Sequence, residues 1–460
     1  MSVEGEYSTK LAISYSLAGF TDVILFQFFT FLIFTFYYAV IGLNVNFVSL
    51  AFVIWSIWNA LNDPILGELS DRTRSKWGRR KPWIIGGIFP LIVINVFLWI
   101  PPAGDEIITF LYFLIIIIAW EFFYTMWSLN QTALFPEIFH NLDHRARANT
   151  WIQFFQILSL MIAFLLPSLF IPEYSNPLYV ADYPVAAIVI SIICLVSALL
   201  FIKWGLVQRP EFYADAVKTP SLLISLKFTL KNKAFVTYLL GQFALWYAFG
   251  MLPTIIPLYG QFVLNVTDST LLSLLLAIGF ISAAFFIVLW RGLIRKLAAK
   301  NANILALLAF SGTLAPFMFI NDAISGLFAF VILGFGLAGA LIVRDVTIAA
   351  IIDEDELKTG VRREGAYYGI NGFIAKLTNV FIFLTISLVF NSVGWAVFDP
   401  LGTTEQTIFG LRSLMFIYPT IFLAIGTFAM VFFPINKQKY EQLIIETRKL
   451  HDSKKESMRK

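Results

Sequence analysis

Charge is what this sequence has least of. Asp, Glu, Lys and Arg make up 13% of its residues, against 59% hydrophobic and 17% aromatic. A chain of 460 residues with so few polar side chains cannot coat a water-soluble globule of its size, which places it among polytopic membrane proteins. Cysteine is nearly absent: Cys194 stands alone in an apolar run, which excludes an intrachain disulfide framework and a multi-cysteine metal site. The three histidines, His140, His144 and His451, fall in polar stretches, so neither a histidine-rich metal centre nor an intramembrane histidine relay is available. No resident cofactor is expected, and no metal beyond a coupling Na+. A GxxxxGK[ST] loop is also missing, which argues against an ATP-driven pump. The opening residues, MSVEGEYSTK, lack the basic start and small-residue cleavage site of a secretory signal, so the first hydrophobic helix is expected to direct insertion.

What is present is a series of apolar runs long enough to cross a hydrocarbon core of about 30 Å. Twelve spans are expected, at 11–40, 45–69, 82–101, 106–136, 148–172, 184–204, 234–262, 268–293, 302–320, 325–352, 367–392 and 408–433. Of the 33 Lys and Arg, Arg344 and Lys376 fall inside spans and Arg412 at the outer start of the last; all the others lie on one side. The positive-inside rule makes that side the cytoplasm of a cell (plasma) membrane, with both termini inside. The same bias accounts for the net charge of +4, so no nucleic-acid partner is implied.

The polar stretch from Gly205 to Lys233 divides the spans six and six. This predicts an all-α integral membrane protein of two pseudo-symmetric six-helix bundles, 1–204 and 234–433, joined by a central loop over 205–233 and followed by a tail over 434–460. The halves echo one another. PEIFHNLDHRARANT after the fourth span and DEDELKTGVRREGAYYG after the tenth each run from acids to an arginine pair and small residues. Duplicated six-span halves are a transporter signature, and they enclose a pathway within one chain, which predicts a monomer in the bilayer.

A charged side chain at the bilayer centre costs a few kcal/mol or more, so each intramembrane charge is a functional candidate. Six are expected: Asp22, Asp63, Glu121, Arg344, Asp345 and Lys376. At about 1.5 Å per residue from the basic end of each span, they and Thr125 share a layer ~10 to 22 Å deep. Asn59, Asn62 and Asp63 project from one face of the second span, and Tyr124, Thr125 and Ser128 form a similar stripe on the fourth, with Glu121 one turn outward. A carboxylate, two amide oxygens and a hydroxyl could cage a small cation, or Asp63 alone could carry a proton. Lys376, at like depth, could neutralise Asp63 when no cation is bound. Arg344 and Asp345 point about 100° apart along a helix and are not expected to pair. On the basic side, Asp71, Arg72, Arg145, Arg147, Arg362 and Arg363 are candidates for ion pairs that close a cytoplasmic gate. The tail, ending HDSKKESMRK, reads as an anchor to anionic lipid headgroups.

GELSDRTRSKWGRR (Gly67 to Arg80) resembles the loop motif of the major facilitator superfamily. NDPILGELSDRTRSKWGRRKPW and DEDELKTGVRREGAYYG resemble, more narrowly, the glycoside-pentoside-hexuronide:cation symporter family, and the similarity covers most of the chain. The resemblance implies that Asn59, Asn62, Asp63 and Thr125 occupy cation-site positions, that Lys376 is the lysine facing them, and that Asp22 and Tyr124 bind sugar. There are departures too. Asn59 stands where melibiose-type members carry a second cation-site carboxylate, which favours H+ over Na+. Ser128 replaces a sugar-binding acid, Phe155 an arginine and Leu341 a tryptophan. Arg344, beside that lost tryptophan, suggests an anionic sugar such as a hexuronide. Asp22, Tyr124, Ser128, Glu121 and Arg344 are therefore the expected substrate contacts of a cation-coupled sugar, glycoside or hexuronide symporter. The alternatives are a lysolipid carrier of the same fold and, from another class, an intramembrane enzyme; the second lacks the closely repeated aspartates that a magnesium-diphosphate site needs.

Overall fold

A computed structural model describes residues 8–139, 142–207, 227–360 and 362–459. Most of the expected central loop (208–226), His140 and Val361 lie outside these. Among the described residues there are helices and turns and no strand. The spans are α1 (Thr9–Thr35, continued as a π-helical turn Phe36–Val40), α2 (Val45–Arg72), α3 (Lys81–Phe97), α4 (Glu106–Ala133), α5 (Leu142–Leu165) and α6 (Asp182–Trp204). The second half has α7 (Lys233–Phe262), α8 and α9 within Ser269–Leu314, α10 (Ala323–Thr359), α11 (Glu364–Ser392) and α12 (Glu405–Val431). Ten helices among the described residues are long and apolar enough to cross a membrane. Ala298, at φ 57°, breaks the longest into α8 and α9, and the short apolar α3 completes the twelve.

Side chains start many of these helices. Ser8, Asn44, Asp105, Asn232, Asp322 and Thr404 each accept a hydrogen bond from a first-turn backbone N–H that would otherwise be orphaned. Some boundaries differ from expectation for local reasons. The fifth helix begins at Leu142 rather than 148, since the RARAN segment is helical, and it ends at Leu165 before Pro167, which cannot donate to the ladder. The acidic run Asp353 to Glu356 continues α10 as far as Thr359, where Gly360 at φ 73° ends the helix in a conformation only glycine adopts without strain.

The chain divides into two compact units. The first comprises Met1–Lys218 with Thr267–Ala277 and Gly394–Pro400, and the second Thr219–Val266, Ile278–Val393 and Leu401–Lys460. In the first, α1 packs on α5 and α6, while α4 lies between α2 and α3. Gly87 makes the α3–α4 approach possible: a Cβ there would stand 2.9 Å from the Met126 Cβ and 3.1 Å from the Phe123 carbonyl oxygen. In the second unit α7 packs against α10, α11 and α12. The tail is ordered as a helix, α13 (Lys437–Arg459), laid against α10.

Candidate functional site

In the first unit the acids meet where α2 and α4 run side by side. The helices start together, with the Asn44 N–H donating to Glu106 Oε1 at 3.0 Å, and stay in register toward their middles. Asn59 and Asn62 are 2% and 1% exposed, and Asp63 is half-buried. The Asn62 amide donates to the Glu121 carbonyl at 3.3 Å, and its Oδ1 is buried with no hydrogen-bond partner. Thr125 Oγ1 lies 3.4 Å from Asp63 Oδ1 and 3.2 Å from Glu121 Oε1, and Trp55 Nε1 donates to Glu121 Oε2 at 3.0 Å. The expected cation group thus brings Asn62, Asp63 and Thr125 together, with Asn59 buried on the same helix face. Glu121, expected among the substrate contacts, is 0% exposed and joined to this group through Thr125.

One turn further along α4, Tyr124 lies between two rings, Phe26 at 5.4 Å and Trp120 at 4.9 Å, and Trp120 stacks in turn on Phe29 at 4.4 Å. The Tyr124 hydroxyl is within hydrogen-bonding reach of Asp22 and Ser128. Three expected substrate contacts therefore form one polar group beside an aromatic stack. Phe155 packs edge-on against Phe20 at 5.9 Å. Trp127 is fully buried against Phe201.

The second unit carries the basic residues. The Arg344 guanidinium on α10 lies 5.2 Å from the ring centre of Trp246 on α7, and the Tyr238 hydroxyl donates to the Arg344 carbonyl at 3.4 Å. Tyr238, Gln242 and Trp246 recur every four residues and so face α10 as one column. The Gln242 Oε1 and Trp246 Nε1 are buried without hydrogen-bond partners. Arg344 and Asp345, expected to diverge, do approach each other: Arg344 Nε is 3.5 Å from Asp345 Oδ1. The arginine's long stem bends around the helix, overriding the 100° between Cα–Cβ directions. Lys376 is half-buried on α11.

On the basic side each unit holds its own ion-pair cluster. In the first, Glu137 Oε1 takes Arg79 at 2.7 Å and Arg80 at 3.0 Å, and Asp71 Oδ1 takes Arg80 at 3.3 Å and Arg79 at 3.8 Å. Of the expected gate residues here, Asp71 joins the cluster, Arg72 pairs with the exposed Glu68 at 2.5 Å, Arg145 donates to the Phe139 carbonyl at 2.8 Å and Arg147 is exposed. Arg79 and Arg80 were not among the expected gate residues. The signal was Gly78, which at φ 93° turns the loop back and returns the second arginine pair to the end of α2. In the second unit, Arg362 pairs with Glu356 at 2.8 Å and Asp353 at 3.0 Å, and Arg363 with Asp355 at 2.5 Å. Partial burial disfavours the Arg362 cation, but the bonds to Glu356 and Asp353 outweigh it and raise its pKa. α13 contributes Lys439 to Glu354, and His451 Nε2 at 3.1 Å to Glu356. Burial acts to raise the Glu354 pKa, but the bonds from Lys439 and Lys358 prevail and hold it below its ordinary value.

The model of the MFS/sugar transport protein family matches residues 12–437. An uncharacterised symporter of Synechocystis is 25% identical, over 94% of each chain. A glucuronide carrier protein homolog of Escherichia coli is 21% identical over 96% of each. Among solved structures, a D-xylose-proton symporter superposes with a TM-score of 0.67 at 13% identity, covering 93% of this chain and 98% of that one, a likeness of fold. The chain therefore belongs to the MFS/sugar transport protein family, within the major facilitator superfamily and its glycoside-pentoside-hexuronide symporter branch, and is a membrane transporter.

Proposed function

We propose that this transporter carries out symport of a sugar, glycoside or hexuronide with a cation, H+ in preference to Na+, by alternating access in the cell membrane with both termini in the cytoplasm. The observation that carries the reading is the Asp63–Thr125–Glu121 group: acids enclosed by membrane helices, linked by a hydroxyl and bordered by the unpartnered Asn62 Oδ1. Asp63 is the carrier of the coupling cation, with Asn59, Asn62 and Thr125 as its other ligands. Asp22, Tyr124 and Ser128 hold sugar hydroxyls. Arg344 supports an acidic substrate, since its guanidinium stacks on Trp246 and is still 30% exposed. The Asp71–Arg79–Arg80–Glu137 cluster and its Arg362–Arg363 counterpart are the gate residues of the cytoplasmic side.

The names of the relatives favour sugars over lysolipids as cargo. The test is thermal stability of the purified protein against neutral glycosides, pentosides, hexuronides and lysophospholipids at fixed pH and salt. A ligand that binds the folded state raises its melting temperature by mass action, by about 2.7 kcal/mol in stability at a hundredfold excess over Kd. Stabilisation by a sugar is expected, and stabilisation by lysophospholipids alone would overturn the sugar assignment.

A further inference from the structure

We propose that Gln242 and Trp246 on α7 select the cargo: with Arg344 they hold the carboxylate of an acidic sugar and a hydroxyl of the same ring. This rests on the sugar-transport reading and names the groups that set its specificity in the second unit. Much of the surface of α7 is taken by packing. Gly241 faces Met430 of α12, Ala244 approaches Gly426 of the same helix, and Phe243 meets Phe381 of α11 at 5.1 Å. Another face carries Tyr238, Gln242 and Trp246 as a column toward α10. Both ends of the column touch Arg344, the Tyr238 hydroxyl through the Arg344 carbonyl at 3.4 Å and the Trp246 ring through the guanidinium at 5.2 Å. Gln242 lies midway between them, one turn from each.

This face keeps bonding capacity that the fold does not use. Gln242 is 1% exposed, and its Oε1 has no hydrogen-bond partner among the described residues. The Trp246 Nε1 is buried and donates to none of them either. A guanidinium over the face of an indole uses the π-cloud and not the in-plane N–H, so the contact with Arg344 leaves that donor unspent. Arg344 approaches Asp345 at 3.5 Å, but that acid is 65% exposed and well hydrated, and Arg344 Nε makes no hydrogen bond among the described residues. A buried polar atom without a partner costs stability, and a ligand that bonds to all three groups recovers it.

The pattern of donors and acceptors defines that ligand. The guanidinium and the indole only donate, and an oxyanion matches both: Arg344 brings charge, and the Trp246 N–H adds a directional bond. Gln242 Oε1 only accepts, so it takes a hydroxyl and repels a second anionic oxygen. Together the three fit a monoanion that carries hydroxyls near its acid group, as a hexuronide does. They disfavour a dianion such as a phosphate monoester, which would set charge against Oε1. A neutral glycoside satisfies Gln242 and leaves the two donors without their anion.

The test compares two sugars that differ at one carbon. Binding of methyl β-D-glucuronide and methyl β-D-glucoside to the purified full chain would be measured by calorimetry for wild type, Trp246→Phe, Gln242→Leu and Gln242→Glu. Trp246→Phe keeps a ring beside Arg344 and removes the N–H, so it should weaken the glucuronide about tenfold and leave the glucoside within about twofold. Gln242→Leu should weaken both by about fivefold or more, since both offer the hydroxyl. Gln242→Glu keeps an acceptor and adds a charge, so it should remove the preference for the glucuronide. Glucuronide affinity within about twofold of wild type in Trp246→Phe and Gln242→Glu overturns the proposal and leaves sugar transport standing. Equal losses of the two sugars in Trp246→Phe overturn it as well, since they make the indole a packing group only. Should the Gln242 variants fail to fold, Trp246→Phe decides alone. Wild type that binds the glucoside and not the glucuronide overturns the anion assignment, and stabilisation by lysophospholipids alone overturns the sugar reading beneath it.

Discussion

The two halves carry their intramembrane charge with opposite emphasis. The first places only acids in its spans, Asp22, Asp63 and Glu121; the second places Arg344, Asp345 and Lys376. Their settings differ as well. The carboxylates of α2 and α4 take hydrogen bonds from neutral donors, Glu121 from Trp55 and Thr125 and Asp63 from Thr125. Arg344 instead lies over the Trp246 ring, approaches Asp345 at 3.5 Å and stays partly exposed. Under the proposed function, the acids of the first half handle the cation and Arg344 of the second offers charge to an acidic cargo.

The largest effect expected is from Asp63→Asn. Concentrative uptake should fall by about a hundredfold or more while exchange of labelled for unlabelled substrate continues, measured as accumulation against counterflow in vesicles. Loss of both, with loss of fold, would make Asp63 a structural tie. Next is Arg344→Ala, which should weaken binding of acidic sugars by about 1.5–3 kcal/mol, roughly tenfold or more, and leave neutral sugars within about twofold. Equal losses for both would erase the division between the halves. The ratio of the two affinities, by calorimetry, decides.

The outlines of this division were readable in advance. Apolar runs longer than a bilayer is thick fix most spans to within a few residues, because length and hydropathy are properties of local sequence. Asp63, Asn62 and Thr125 were legible as a group because helical spacing puts each set on one face. The place of Glu121 was not: its partner across the interface, Trp55, is set by how α2 packs on α4, which no periodicity on one helix reports. The Arg344–Asp345 contact was missed because spacing predicts Cβ directions and not the reach of a long side chain. The helical tail was missed for a similar reason, since Lys437–Arg459 is mostly polar and gains its support from acids on α10, over 80 residues earlier.

Smaller effects separate the basic-side clusters. Glu137→Gln removes the charge that Arg79 and Arg80 share, with both side chains under 15% exposed, and should cost about 1–3 kcal/mol in the first unit. Faster hydrogen exchange confined to the 73–80 loop would show it. The second unit's cluster should respond mildly to acid. The Glu354 pKa lies below its ordinary 4.5, so the stability contributed by the Lys439 and Lys358 pairs is full above that value and is lost as pH falls through the depressed pKa. Lys439→Ala should remove about 1 kcal/mol and flatten this acid dependence, as read by exchange protection of α13 against pH.

The most direct test of the whole account is proton movement driven by sugar alone. Wild-type protein would be reconstituted with a trapped pH indicator and no imposed ion gradient, and given the sugar that most raises its melting temperature. Coupled symport predicts acidification of the lumen as sugar enters, abolished in Asp63→Asn. Sugar entry with no change in lumenal pH, and no dependence on sodium, would contradict it.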